Sequence, residues 1–439
     1  MNPACLGYMG LTSGLFLFAL PYALLYTKLT GRYRSSISQR IGIYPPLNLP
    51  VTHAPRIWFH AVSMGEVTAA VPIIEALRAL APRCSIILST TTEHGQELAK
   101  TRLPSDVVCI YAPIDFILSV TSALRQMKPD LLVCLETELW PNWLMIAHRM
   151  GIKTAIVNGR ISGRAIKRYR MIRPLMKEVL CSMNVFSMIQ EIDARRIREI
   201  GAPPEKIRVN GNAKYDLLLR QSDSRVQPDP IRHWQRIFGV KENEPVFLAG
   251  STRHSEEETI LDAYQKVIRK APNTLLILAP RHLERTRHIE KIIKARGLNC
   301  QLRSDLENNG RNRTAPVIIL DTMGELQATY SIATVVFCGG SLTPLGGQNI
   351  LEPAVWAKPV LYGPYMEDFL DARSLLECTG GGIEVKDGND LAEKVLFFIT
   401  RPDQAKKTGN SARRAVEMNQ GAARKHAEVI YSLLRLTAS

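Results

Sequence analysis

The sequence predicts an α/β protein made of two Rossmann-like domains in series, preceded by an apolar helix. Three observations predict it. Short apolar runs alternate with helical stretches from residue 56 onward. The alternation breaks at a polar stretch near Asp216–Gln227 and then restarts. No charged side chain occurs before Lys28. A chain of 439 residues is also too long for one ordinary core and suits two domains of roughly 200 residues each.

The first element is the stretch from Ala4 to Tyr26, about long enough to cross a bilayer as a helix. Lys28, Arg32, Arg34 and Arg40 follow at once, so the positive-inside rule places the bulk of the chain in the cytoplasm. A cleaved signal peptide fits poorly, because the cations lie on the wrong side of the apolar run. Gly7, Gly10, Gly14 and Pro21 weaken a span and leave a helix lying in the membrane interface as the alternative. The expected domains are an anchor over 1–30, a first domain over 31–220 and a second over 221–439. The last helix of the second is a candidate to pack back on the first.

After a Pro-rich linker from Tyr44 to Pro55, Arg56–Val62 reads as a strand. Ser85–Ser89, Val107–Tyr111, Leu131–Leu135, Thr154–Val157 and Val185–Met188 follow, with helical patterns such as Ala69–Leu80 between them. Pro245–Gly250, Leu275–Ala279, Val317–Leu320, Val335–Cys338 and Pro359–Tyr362 form the second series. Unbroken apolar strands alternating with helices predict parallel sheets covered on both faces. In such sheets ligands gather at the carboxyl ends of the strands. The stretch from Leu391 to Leu436 reads as helical with a polar face.

Composition narrows the function. The net charge of +15 suits an anionic partner. The cations are scattered and no nucleic-acid-binding motif occurs, so nucleic acid is not expected. None of the eight cysteines forms a CxxC pair or pairs with His at zinc spacing, which predicts buried, reduced thiols.

The strand ends carry the chemistry. His60-Ala-Val-Ser63-Met-Gly65-Glu66 follows the first strand. Glu66 there suits a general base, although its spacing from Ser63 is also that of a capping box. His60 reads as structural more readily than catalytic. Leu135-Glu136-Thr137-Glu138-Leu139-Trp140-Pro141-Asn142 sets two acids at the end of an apolar strand, where an unpaired carboxylate would be expensive. Those acids read either as helix-start residues or as partners of a sugar hydroxyl or a catalytic cation. Asn158-Gly159-Arg160-Ile161-Ser162, with Arg164, Lys167, Arg168 and Arg170, is a basic run that is either a solvated face or a contact for lipid phosphates. Gly211-Asn212-Ala213-Lys214-Tyr215-Asp216 puts a lysine at the expected domain boundary, where it could neutralise a carboxylate or a departing phosphate.

In the second half, four turns follow successive strands. They are Gly250-Ser251-Thr252-Arg253-His254, Ala279-Pro280-Arg281-His282, Asp321-Thr322-Met323-Gly324-Glu325 and the glycine-rich stretch from Gly339 through Asn349-Ile350-Leu351-Glu352. Glycines allow a phosphate to approach the backbone, and a helix starting near Asn349 would offer its positive end. Glu352, about one turn further, could accept from ribose hydroxyls. Neither a Walker A loop nor the GxGxxG fingerprint occurs. No DxD-type metal site stands out, so no cofactor and metal-independent chemistry are expected.

Taken together and in this order, HAVSMGE, LETELWPN, GNAKYD, APRH, DTMGEL and GGQNILEP resemble the bacterial 3-deoxy-D-manno-octulosonic acid (Kdo) transferases of lipopolysaccharide synthesis. The resemblance covers nearly the whole chain. It implies a GT-B fold, CMP-Kdo as donor, a lipid A precursor (lipid IVA) as acceptor and action at the cytoplasmic face of the inner membrane. By motif, Glu66 matches the family's catalytic base. Lys214 and a carboxylate of LETELWPN, Glu136 in preference to Glu138, match its transition-state stabilisers. Pro280, Arg281, Met323, Gly324, Glu325, Asn349, Ile350, Leu351 and Glu352 match its CMP-contacting turns. One departure is plain. Many members have His-x-Gly after Ser-Thr, where this chain has Arg253-His254-Ser255. A role borrowed for His254 is therefore in doubt, and Arg253 is the candidate to supply charge there. The open alternatives are a transferase of the same fold using another nucleotide sugar, and a membrane-tethered binding protein with a degenerate site.

Overall fold

The computed structural model describes residues 3–31, 36–46, 55–221, 230–308 and 312–435. The chain divides into two compact units. The first comprises Met1–Leu217 and Gln420–Ser439, and the second Leu218–Asn419. Residues 47–54 of the expected linker, the basic residues Arg32 and Arg34, and residues 222–227 of the polar stretch lie outside the described residues.

The first unit holds a seven-stranded parallel sheet. Its strands are β1 (Arg56–His60), β2 (Ser85–Thr90), β3 (Val108–Tyr111), β4 (Leu131–Leu135), β5 (Lys153–Gly159), β6 (Val185–Met188) and β7 (Ile207–Val209). Their order is β3-β2-β1-β4-β5-β6-β7, so the winding reverses between β1 and β4. Residues 57–60 of β1 and all of β4 are buried, as expected of central strands covered on both faces. Trp58 of β1 meets Trp143 of the helix Pro141–Arg149 edge to face, with ring centroids 5.2 Å apart.

The second unit repeats the plan with β8 (Val246–Thr252), β9 (Leu275–Pro280), β10 (Cys300–Leu302), β11 (Val317–Ile319), β12 (Val335–Cys338), β13 (Val360–Tyr362) and β14 (Gly382–Glu384). The order is β10-β11-β9-β8-β12-β13-β14, with the reversal between β8 and β12. Two doubly wound parallel sheets of this kind are the GT-B architecture. Three strands escape a reading of the sequence: β7, β10 and β14. Each has three residues and lies at a sheet edge, where no long apolar run is needed.

The C-terminal helix Ala422–Arg435 belongs to the first unit. Ala423, Ala427, Ile430, Leu433 and Leu434 enter the same buried cluster as Ile57, Phe59 and Ile74. Lys153 Nζ donates to the Leu433 carbonyl near the end of this helix, at 2.8 Å.

The N-terminal helix Pro3–Thr30 is long and apolar enough to cross a membrane, and is a candidate anchor. Its first half docks on the first unit. Cys5 and Met9 are buried there. The Tyr8 hydroxyl donates to Asp115 Oδ2 (2.9 Å), Asn142 Nδ2 donates to Thr12 Oγ1 (3.1 Å), and Phe16 stacks on Phe116. Leu11, Leu15, Phe18, Tyr22 and Leu29 point away and are exposed.

All eight cysteines are free. Cys5, Cys134 and Cys338 are buried, but Cys181 and Cys378 are exposed, against the expectation that the thiols are interior. Both exposed thiols sit on helices, where an apolar neighbourhood in sequence does not fix the face.

Candidate active site

In the first unit the chemistry gathers beside the winding reversal, at the carboxyl ends of β1 and β4. β1 ends at His60, and the next helix begins at Met64 with Ser63 as its N-cap. The Ser63 hydroxyl does not cap that helix; it donates instead to Glu66 Oε1 at 3.0 Å. Glu66 Oε2 accepts from the Val62 N–H at 2.7 Å. The reciprocal capping box suggested by the spacing is therefore not formed. Glu66 is 7% exposed. Burial, with the charges of Glu138 and Glu136, pushes Glu66 up to about 8, against the two hydrogen bonds it accepts.

Glu136 follows β4 with φ 51°, a left-handed conformation rare for a residue with a side chain. Its N–H donates to Val157 of β5. Its Oε1 lies 2.6 Å from Lys214 Nζ, an ion pair set at a poor hydrogen-bond angle. A methyl group built on Gly65 would stand 3.7 Å from the same Nζ, so the lysine also borders the Glu66 turn. Glu138 has a different partner: Trp140 Nε1 donates to its Oε2 at 2.5 Å. Burial raises the Glu138 pKa as well. The structure thus brings Glu66, Glu136, Glu138 and Lys214 together.

His60 is fully buried, with Nδ1 3.0 Å from Ser89 Oγ and its ring against Trp140 and Trp143. Burial drives its pKa down to about 3, so it is a neutral core residue. The basic run divides. Arg170 pairs with Glu199, while Arg164, Lys167 and Arg168 are exposed on the helix Gly163–Met171, which Ser162 caps.

Two residues outside the expected set hold the Lys214 turn. Asn158, buried and at φ 51°, accepts from the Ala213 N–H at 2.9 Å. His426 of the C-terminal helix is buried, its Nε2 3.0 Å from the Gly211 carbonyl and its Nδ1 2.6 Å from Ser187 Oγ. Asn158 was legible only as part of a basic run. His426 interrupts an apolar stripe (Ala423, Ala427, Ile430), the one signal that could have singled it out.

In the second unit the glycine-rich turns cluster at the ends of β8 and β12. Gly250 lies under the buried Tyr330, whose Oη would be 2.2 Å from an added Cβ. Ser251 and His254 are left-handed, φ 55° and 53°. The amides of Gly340, Ser341 and Leu342 converge on one anion, but that anion is the protein's own. The buried Glu256 carboxylate accepts from them at 2.5, 2.9 and 2.8 Å, and from the Arg253 N–H at 3.1 Å. These amides are therefore not free for a phosphate, contrary to the reading from glycines alone. Arg253 is half-buried, and its Nε has no hydrogen-bond partner among the described residues. His254 is exposed.

The remaining residues expected to contact the nucleotide fall on three neighbouring loops. Arg281 is exposed after β9, with its N–H bonded to the Thr252 carbonyl. Met323 is 76% exposed, Gly324 takes φ 84°, and Glu325 pairs with the buried Arg303 at 3.1 Å. Asn349 Oδ1 accepts from the Leu351 N–H, and its Nδ2 donates to Glu352 Oε1 at 3.2 Å. Burial raises Glu352 to about 7, moderated by that bond and by the charge of Arg281. The expected helix here is a single turn, Leu351–Ala354, too short to supply much of a dipole. Among the described residues no group of three or more His, Cys, Asp or Glu side chains gathers as a metal site.

Residues 35–217 match the family model described as 3-deoxy-D-manno-octulosonic-acid transferase (kdotransferase). The 3-deoxy-D-manno-octulosonic acid transferase of Haemophilus influenzae is 32% identical over 398 residues, covering 89% of this chain and 90% of that protein. Its namesake from Chlamydia pneumoniae is 27% identical over 391 residues, 88% of this chain and 87% of the other. Among solved structures, Anabaena Alr3699/HepE in complex with UDP superposes with a TM-score of 0.60 at 13% identity, over 87% of this chain and 99% of that one, a likeness of fold alone. The extent and identity of the Haemophilus match place this chain in the 3-deoxy-D-manno-octulosonic acid transferase family.

Proposed function

We infer that this chain transfers Kdo from CMP-Kdo to the 6′-hydroxyl of a lipid A precursor, lipid IVA, releasing CMP in lipopolysaccharide inner-core synthesis. One observation carries the assignment of chemistry. A carboxylate held at a high pKa stands beside a lysine–carboxylate pair at the reversal point of the first sheet.

Glu66 takes the proton of the acceptor hydroxyl. That oxygen forms a bond to the anomeric carbon as the bond from carbon to the CMP phosphate oxygen breaks, and the configuration inverts. Negative charge passes to the departing phosphate. Lys214, held by Glu136, supplies positive charge in the first unit, and Arg281 does so in the second. Pro280, Met323, Gly324 and Glu325 line the nucleotide. Asn349, Ile350, Leu351 and Glu352 complete that line, with Glu352 accepting from ribose. No metal is assigned a step, since side-chain cations can balance the charge of a cytidylate leaving group.

Membrane attachment falls to the exposed flank of the helix Pro3–Thr30, with the two units on the cytoplasmic side. Docking of residues 5–16 on the first unit favours attachment along that flank over an isolated span. The arrangement keeps the unit at the surface where a lipid acceptor lies.

The test is mass spectrometry of the lipid after incubation with CMP-Kdo and lipid IVA, for the wild-type chain and Glu66→Gln. A Kdo-sized increment with the wild type, and a rate at least about 100-fold lower for the variant, is expected. Substantial turnover by Glu66→Gln rules out the base assignment, and no increment with the wild type rules out the reaction.

A further inference from the structure

Two side chains, Asp216 beside Lys214 and His426 of the C-terminal helix, join that helix to the candidate active site. Asp216, two residues after Lys214, turns its carboxylate onto the start of this helix. Oδ1 accepts from the Gly421 N–H and Oδ2 from the Ala423 N–H, both at 2.7 Å. These amides are among those an α-helix leaves unpaired at its N-terminus, and a carboxylate there is favoured by the macrodipole as well. One turn further on, the His426 ring lies between the Gly211 carbonyl and Ser187 Oγ. The carbonyl can only accept, so Nε2 carries the proton and Nδ1 accepts from the serine hydroxyl. Gly211 itself takes φ 94°, and an added Cβ would stand 3.1 Å from the Ala422 side chain, so the helix and the turn are in close contact.

The turn from Gly211 to Asp216 is thus held at both ends by the C-terminal helix and in the middle by Asn158 at the Ala213 N–H. From this turn the Lys214 side chain extends to end 2.6 Å from Glu136. We propose that Asp216 and His426 form a clasp by which the C-terminal helix aims Lys214 at Glu136, making both positioning residues for the transfer reaction. The Asp216 of GNAKYD then serves as a remote helix cap, not as a reacting acid. The proposal rests on the assignment of Lys214 as a charge-stabilising group.

The test uses the full chain and three readouts. Asp216→Asn exchanges an acceptor for a donor at one amide. It should lower kcat at least about tenfold while changing KM for CMP-Kdo less than about twofold, the pattern of a lost transition-state contact. Amide hydrogen exchange over 211–216 should rise, with little change in the strands. His426→Leu should behave likewise, whereas His426→Gln, which can still donate to the Gly211 carbonyl, should recover most of the rate. In a Lys214→Ala background, Asp216→Asn should add less than about twofold to the loss. Equal loss in both backgrounds, or unchanged exchange over 211–216, overturns the clasp. Full activity of Lys214→Ala alone overturns the role of the lysine, and the exchange measurement then still decides whether the clasp exists.

Discussion

A carboxyl that loses water and gains acidic neighbours holds its proton to higher pH, and Glu66 meets both conditions. The consequence for catalysis has a definite sign. A general base works when ionised, so kcat/KM should climb about tenfold per pH unit below the folded-state value and level off above it. That value is about 8. Removing the largest like charge should favour the Glu66 anion. Glu138→Gln should therefore move the rising limb to lower pH by roughly half a unit or more while leaving the plateau near the wild-type rate. A pH–rate profile of the two proteins checks both statements. The same shift bears on stability. Because the folded-state value lies above the ordinary one, the neutral carboxyl contributes stability that is present at low pH. That contribution is lost as pH rises through about 8. Glu66→Gln should accordingly melt higher than the wild type at pH 9 while transferring almost nothing, a direct exchange of stability for chemistry.

At the level of elements, the glycine-rich turns of the second unit depend on backbone packed against backbone. Gly339 follows β12 so near β8 that a Cβ would lie 2.5 Å from Thr252 Cα. Nothing there is the tip of a flexible side chain, so Gly339→Ala must push the two strand ends apart. Overpacking of this kind costs about 1–3 kcal/mol, which should lower Tm by about 3–10 °C. The variant should also lose the protection from thermal unfolding that CMP, but not UDP, is expected to give the wild type. The N-terminal helix separates into two faces with separable effects. Tyr8→Phe removes its bond to Asp115 and should lower stability by about 1 kcal/mol without releasing the protein from membranes. Leu11→Ser with Phe18→Ser changes exposed positions only and should leave Tm alone. Each buried side chain of this size is worth about 1.5–3 kcal/mol, so that pair should shift the protein at least about tenfold toward the soluble fraction after flotation.

At the scale of the whole molecule, the chain leaves its first unit at Leu217 and re-enters at Gln420, so its final helix completes a core begun in the first half. The net charge of +15 acts over the entire surface. Its attraction to anionic lipid is screened within about 10 Å at 0.1 M salt, and more tightly as salt increases. Binding to vesicles containing anionic lipid should therefore weaken steeply between about 50 and 500 mM salt. Binding to neutral vesicles, which relies on the apolar helix flank, should hardly change. Equal salt dependence on both kinds of vesicle would show that charge plays no part in membrane attachment.

The two parallel sheets are legible in the amino-acid order, because central strands buried on both faces must be unbroken apolar runs. That order also marked Glu66, Glu136 and Lys214 as candidates, since carboxylates and a lysine at strand ends are conspicuous against such runs, and the fold brings the three together. The edge strands β7, β10 and β14 were hidden, because three residues at a sheet margin carry no period. Which partner each polar group takes emerges only in the folded chain. Glu136 pairs with Lys214 while Glu138 pairs with Trp140, a choice that two acids one residue apart in one motif cannot disclose. The amides of Gly340 to Leu342 close on Glu256, 84 to 86 residues earlier, rather than waiting for a phosphate. His426 meets Gly211 across 215 residues. Local order follows from side-chain period and backbone preference, which are written residue by residue. Hydrogen-bond partnership depends on distances that exist only once the chain has folded.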